Sequence, residues 1–237
     1  MKKIVVANLK MFKNANEIAI YSKNLKKLLK KCDKRVIVCP SFVYIKDMAS
    51  YFKRTKIEVG AQNCSEKIES SLTGEVGANM LQSVGAKYVI VGHSERKINF
   101  GENEKQINSK IKTALKSDLT PIVCLSDQGS KSLRKAIQTQ LEILFEDVDL
   151  QKEIILAFEP LSAIGTGFAM NLKEIAKAVK VIKEVSIELF SKEFKVLYGG
   201  SVVSKNAGVI LEIECVDGVL VGGACKDASE FAKICQA

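Results

Sequence analysis

An α/β chain closed into a parallel (β/α)8 barrel is what the sequence predicts, on three observations. Eight short Val/Ile-rich runs are each followed by a stretch with helical spacing. The runs are continuously apolar rather than alternating, as strands of a parallel sheet covered on both faces are. No linker rich in Pro, Gly or Ser divides the 237 residues, which hold only three prolines. That length fits a single domain over 1–237. An open doubly wound sheet would place a Gly-rich turn after the first strand, where the chain reads NLKMFKN.

In order, IVVAN (Ile4–Asn8) precedes a helical pattern from Glu17 to Lys31, and RVIVC precedes YIKDMASYF. KIEVGAQN leads through a loop to GANMLQSVG. KYVIVG is followed by Glu104–Lys116, with Ile107, Ile111, Ala114 and Leu115 on one face. TPIVCL precedes Leu133, Ile137, Leu141 and Leu144, again at helical spacing. EIILAFEP precedes Asn171–Leu189, striped by Leu172, Ile175, Val179 and Ile182. KVLYGG and VDGVLVGG complete the series, each with a short helical stretch after it.

Composition narrows the function classes. Hydrophobic residues make up 47% and charged residues 27%, enough apolar surface for a sizeable core and too little charge bias for disorder. The basic opening MKK is followed by an apolar run of only Ile4 to Ala7, shorter than a signal peptide requires. No run approaches a membrane span, so a cytoplasmic protein without membrane partners is expected. The seven cysteines include no Cys-x-x-Cys pair and suit a reducing compartment. With a single histidine besides, no metal site is expected. The net charge of +9 draws attention to KNLKKLLKKCDKR (Lys23–Arg35). It reads either as an anionic-polymer patch or as a helix with Leu25, Leu28 and Leu29 on the core and lysines in water. The second reading is preferred, since no aromatic residue interleaves with the charges, and no nucleic-acid partner is expected.

In a barrel of this kind the active site forms at the carboxyl ends of the strands. That rule selects Asn8 and Lys10 after the first strand, His93 and Glu95 after the fourth, and Cys124 after the fifth. It also selects Glu159 after the sixth, Gly199–Ser201 after the seventh and Gly222–Gly223 after the eighth. Glycine pairs in the last two loops let backbone N–H groups approach a phosphate, although Gly-Gly also marks ordinary tight turns. Glu159 is stiffened by Pro160 and followed by the uncharged, Gly-containing Leu161–Gly167, which suits a mobile cover or an ordinary surface loop. His93, the one imidazole, is by itself as compatible with a core position as with chemistry. Its address at a strand end, facing the mouth with Lys10, favours chemistry. Cys124 beside His93 could be a nucleophile, but its place inside IVCL favours packing.

Together the segments ANLK (Ala7–Lys10), LTGEVGA (Leu72–Ala78), VGHSER (Val91–Arg96), FEP…AIGTG (Phe158–Gly167), YGGSV (Tyr198–Val202) and VGGA (Val221–Ala224) resemble the triosephosphate isomerase family over the whole chain. The resemblance implies the TIM barrel and cofactor-independent, metal-free interconversion of dihydroxyacetone phosphate and D-glyceraldehyde 3-phosphate, a step of glycolysis and gluconeogenesis. It implies Glu159 as the proton-transferring base, His93 as the electrophile on the carbonyl, and Lys10 as the cation beside the enediolate. Asn8 would orient substrate and Glu95 would support His93 and Lys10. Gly165, Ser201, Gly222 and Gly223 would contact the phosphate, Gly165 only on loop closure. This family is itself the standard example of a neutral histidine donor beside a helix N-terminus, paired with a glutamate base. Another phosphate-binding barrel isomerase or an aldolase on a different sugar phosphate is the alternative.

The resemblance also implies a homodimer. The loop from Ser70 to Ala78 would enter the partner subunit, with Thr73 and Met11 at the matching positions. The sequence also departs from the family pattern. The usual Pro-Val-Trp reads Pro160-Leu161-Ser162, the far hinge reads Phe168-Ala169-Met170, NLK replaces NWK, and Lys97 replaces a second arginine. They bear on loop closure and leave every reacting group in place.

Overall fold

A computed structural model describes residues 2–127, 129–160 and 170–237. Eight parallel strands close in chain order: β1 (Ile4–Asn8), β2 (Arg35–Cys39), β3 (Ile57–Ala61), β4 (Tyr88–Val91), β5 (Thr120–Leu125), β6 (Ile155–Phe158), β7 (Lys195–Tyr198) and β8 (Gly218–Val221). Closure is made by β1 against β8, with Ile4 opposite Gly218 and Ala7 opposite Val221. The helices are α1 (Ala15–Leu28), α2 (Ile45–Phe52), α3 (Ala78–Ser83), α4 (Ser94–Phe100), α5 (Glu104–Lys116), α6 (Leu133–Leu144), α7 (Leu172–Phe190), α8 (Ser204–Leu211) and α9 (Ala228–Gln236).

The period of two along each strand divides the core. Ile4, Val6, Ile37, Tyr88, Ile90, Ile122, Ile155, Ala157, Leu197 and Leu220 fill the barrel interior. Their neighbours Val5, Ala7, Val36, Val38, Val89, Val91, Leu156 and Val196 pack outward against the helices. The inward set has a direct consequence for the site. One more step of two beyond Ile4 and Val6 is Asn8, beyond Ile155 and Ala157 is Glu159, beyond Leu197 is Gly199, and beyond Leu220 is Gly222. The strand pleat alone therefore delivers these residues to the barrel mouth.

Three details differ from the sequence reading, one being that Leu172 is 43% exposed and leaves the buried stripe of α7 to Ile175, Val179 and Ile182. The helix α4 is absent from the predicted elements, because its apolar residues Ile98 and Phe100 face solvent and leave no buried stripe. In α1 the buried line is Ile18, Tyr21, Ser22 and Leu25, continued by Leu29 beyond the helix, whereas Leu28 is 40% exposed and does not join the core. The lysines of this segment lie on the solvent side of α1. No helix among the described residues is long and apolar enough to cross a membrane.

Candidate active site at the barrel mouth

A cavity of about 490 Å³ opens at the carboxyl ends of the strands. Asn8, Lys10, His93, Glu95, Glu159, Ser201, Gly222 and Gly223 all line it. Gly165 falls in 161–169, outside the described residues.

Lys10 holds a left-handed backbone, φ 51°, which an L side chain adopts only at a cost of about 1–3 kcal/mol. Its surroundings over-determine that conformation. The Lys10 N–H donates to Asn8 Oδ1 at 3.1 Å. Its carbonyl accepts from Ser41 Oγ at 3.0 Å and from Gln62 Nε2 at 2.9 Å. Gln62 also donates to Cys39 O at 2.9 Å, so the ends of β1, β2 and β3 are tied to one point. The outcome is an ammonium aimed across the mouth, where Nζ is paired with Glu95 Oε1. The Lys10 stem packs on the last loop, since a Cβ built on Gly222 would stand 3.3 Å from Lys10 Cε.

His93 ends the β4 loop as the N-cap of α4, its Nδ1 accepting the Glu95 N–H at 3.2 Å. A neutral ring whose Nδ1 accepts must carry its proton on Nε2. Nε2 stands 3.0 Å from Glu159 Oε1. The other oxygen, Oε2, accepts the Ser94 N–H at 2.9 Å. Glu159 itself is anchored by its N–H to Leu125 O at 2.8 Å and is only 3% exposed. Space beside it is tight, since a Cβ built on Gly199 would stand 3.0 Å from Glu159 Cγ.

Cys124 lies in the barrel interior beneath this pair rather than in the cavity. Burial, then the negative charge of Glu159, pushes its thiol well above the usual range. A thiol so held is protonated and is no nucleophile, which leaves packing as its role.

The β8 turn is fastened to β1 by Cys225, whose Sγ lies 3.2 Å from Asn8 O and 2.9 Å from Gly222 O. Burial pushes that thiol up to about 12, so it keeps the proton it donates. The β7 turn is braced by Asn206, which donates to Ser201 O at 2.9 Å and accepts from Val203 N at 2.8 Å. Tyr198, at the end of β7, accepts the Met170 N–H at 3.1 Å. It thereby fixes the first described residue after 161–169 to the barrel.

Ser41, Gln62 and Tyr198 were not selected from sequence as site residues. Gln62 carried a usable signal, since it lies two residues beyond Gly60 on the inward face of β3. Ser41 and Tyr198 act through contacts remote in sequence.

A family model described as Triosephosphate isomerase matches residues 3–237. The chain belongs to the triosephosphate isomerase family. Curated triosephosphate isomerases agree. That of Picosynechococcus is 37% identical over 99% of this chain and 98% of its own. That of Alkaliphilus oremlandii is 36% identical over 98% of each chain. That of Francisella tularensis subsp. mediasiatica is 34% identical over 99% and 96%. The crystal structure of triosephosphate isomerase from Bartonella henselae superposes with a TM-score of 0.89 at 26% identity, covering 100% of this chain and 98% of that one.

Proposed function

We propose that this protein interconverts dihydroxyacetone phosphate and D-glyceraldehyde 3-phosphate through an enediol(ate), within glycolysis and gluconeogenesis. The contact of His93 Nε2 with Glu159 Oε1, beside the Lys10 ammonium, is the observation that carries it. Glu159 takes the proton from the carbon next to the carbonyl and returns it to the neighbouring carbon. The pair of electrons left behind moves onto the carbonyl oxygen, where an oxyanion develops and preorganised donors act most strongly. His93 Nε2–H is such a donor, and Lys10 supplies positive charge. Asn8 fixes Lys10 and faces the same cavity, so it orients substrate. Glu95 holds both partners of the electrophilic side, through its N–H to His93 Nδ1 and its carboxylate to Lys10. Ser201, Gly222 and Gly223 take the phosphate within the cavity they line. A coupled assay with D-glyceraldehyde 3-phosphate tests this reading.

The protein acts in the cytoplasm as a homodimer. Residues 67–75 form a continuously exposed projection that contains Thr73. A second cavity of about 470 Å³ is walled by Met11, Phe42, Gln62, Arg96 and Phe100. Met11 is 93% and Phe100 69% exposed, and two such apolar side chains at one rim call for a cover. The projection of a second copy supplies it. That arrangement would also buttress Lys10 and His93, which line the same cavity.

A further inference from the structure

We propose that Lys226 is a phosphate-recognition residue, a cation held on the ring of Phe12 beside the glycine turn of β8. The inference rests on the reading that the mouth cavity receives a triose phosphate, and it names the group that balances that charge. Lys226 closes a single 3-10 turn, Gly223–Lys226, that leaves β8 at the Gly222–Gly223 step. Its Nζ stands 3.6 Å from the centroid of Phe12, which comes from the neighbouring loop, after β1, the strand paired with β8. Both residues line the cavity. The clasp thus joins the first and last βα loops, side by side on the rim where Gly222 and Gly223 offer their backbone.

Charge decides why this cation matters. The cavity lining contains two cations, Lys10 and Lys226, and two carboxylates, Glu95 and Glu159. Lys10 is already paired with Glu95. Lys226 has no ion-pair partner among the described residues, and its neighbour Asp227 is turned to cap α9 through the Glu230 N–H at 2.8 Å. Without Lys226 a phosphate dianion would enter a lining of net negative charge, met only by neutral N–H and O–H donors at the phosphate end. A ring face is a weak enough resting place for an ammonium to be exchanged for a phosphate oxygen, since a charge-assisted hydrogen bond is the stronger contact. The residue contacts the non-reacting end of the substrate, so it lowers the energy of bound substrate and transition state alike.

Steady-state kinetics and phosphate binding on Lys226→Met, Lys226→Arg and Phe12→Leu test this. Lys226→Met is expected to raise KM for D-glyceraldehyde 3-phosphate, and the inhibition constant of inorganic phosphate, about tenfold or more, with kcat within about twofold. Its kcat/KM should also fall less steeply with salt. Lys226→Arg, keeping the charge, should recover most of both constants, and Phe12→Leu should cost less than Lys226→Met. Unchanged KM and phosphate inhibition in Lys226→Met would overturn the proposal. So would equal damage in Lys226→Met and Lys226→Arg, which would mark Lys226 as packing for Phe12. Titration of inorganic phosphate into the full-length proteins reads the site without turnover. If the unsubstituted protein fails to isomerise the triose phosphate yet binds phosphate about tenfold tighter than Lys226→Met, the function falls and Lys226 stands.

Discussion

The imidazole Nε2 of His93 and the carboxylate Oε1 of Glu159 are 3.0 Å apart, although β5 separates the strands that carry them. The carboxylate has its other oxygen on Ser94 N–H. Both of its oxygens are thus engaged, one by His93 and one by Ser94. A substrate carbonyl reaching His93 Nε2 must take the place of Glu159 Oε1. On the proposed function, substrate engaged by His93 thus leaves Glu159 Oε1 free.

That arrangement fixes the tautomer of the histidine. Nδ1 accepts from Glu95 N–H, so the proton belongs on Nε2. Nitrogen NMR of ¹⁵N-histidine-labelled protein reads one residue only, since His93 is the sole histidine. A neutral Nε2–H ring at pH 7 is expected. A signal from the Nδ1–H tautomer or from imidazolium would remove His93 as a neutral donor.

Tyr198 ties Met170 to the barrel through its hydroxyl. Tyr198→Phe leaves the ring, which is fully buried, and removes only that acceptor. A loss of about 1 kcal/mol in stability is expected. On the proposed function, kcat/KM is expected to fall about tenfold as well. Denaturant unfolding and kinetics on the same variant separate the two. Lost stability with unchanged kinetics would reduce Tyr198 to a structural residue.

At the opposite end of the barrel, the Arg35 guanidinium holds Glu153 down to about 2, with Lys195 assisting. A carboxylate whose folded value lies below its unfolded one stabilises the protein above the unfolded value, near 4.5. That contribution disappears as pH falls from there through about 2. Glu153→Gln should therefore be less stable at pH 7 and lose less on acidification across that window. Urea unfolding at stepped pH measures both. Parallel curves for the two proteins would show that Glu153 is not linked to folding. Because Glu153 is part-exposed, solvent screening keeps the effect small.

The proposed homodimer makes its own prediction. Met11→Glu places a carboxylate on the apolar rim that Thr73 of a second copy would enter, at a position 93% exposed within one chain. Sedimentation at micromolar concentration should show a dimer for the unsubstituted protein and a lighter species for the variant, with reduced activity. An active monomer of the unsubstituted protein at nanomolar concentration would end the proposal.

How much of this could be read from sequence follows from the range of the interactions involved. The strands and their ends were legible because a parallel strand buried on both faces is apolar throughout, and the next polar residue marks the rim. Asn8, His93 and Glu159 were found in that way. Lys10 was found with them, but its left-handed backbone was not, since it depends on Ser41 and Gln62, which lie on other loops. The helix α4 escaped because the stretch SERKINF presents no face to the core. Leu28 was placed in the core by spacing alone, where packing selected Leu25 and Leu29. The pairing of Phe12 with Lys226 joins the two termini of the barrel, a contact no local pattern encodes.

The central claim is that Glu159 moves the proton. The direct measurement is kcat of Glu159→Gln in the coupled assay with D-glyceraldehyde 3-phosphate, beside the unsubstituted protein. The neutral amide keeps the size of the side chain and cannot accept the proton. A fall in kcat on the order of 10³ or more is expected, with KM changed only a few-fold. A variant that retains kcat within tenfold of the unsubstituted protein would contradict the account.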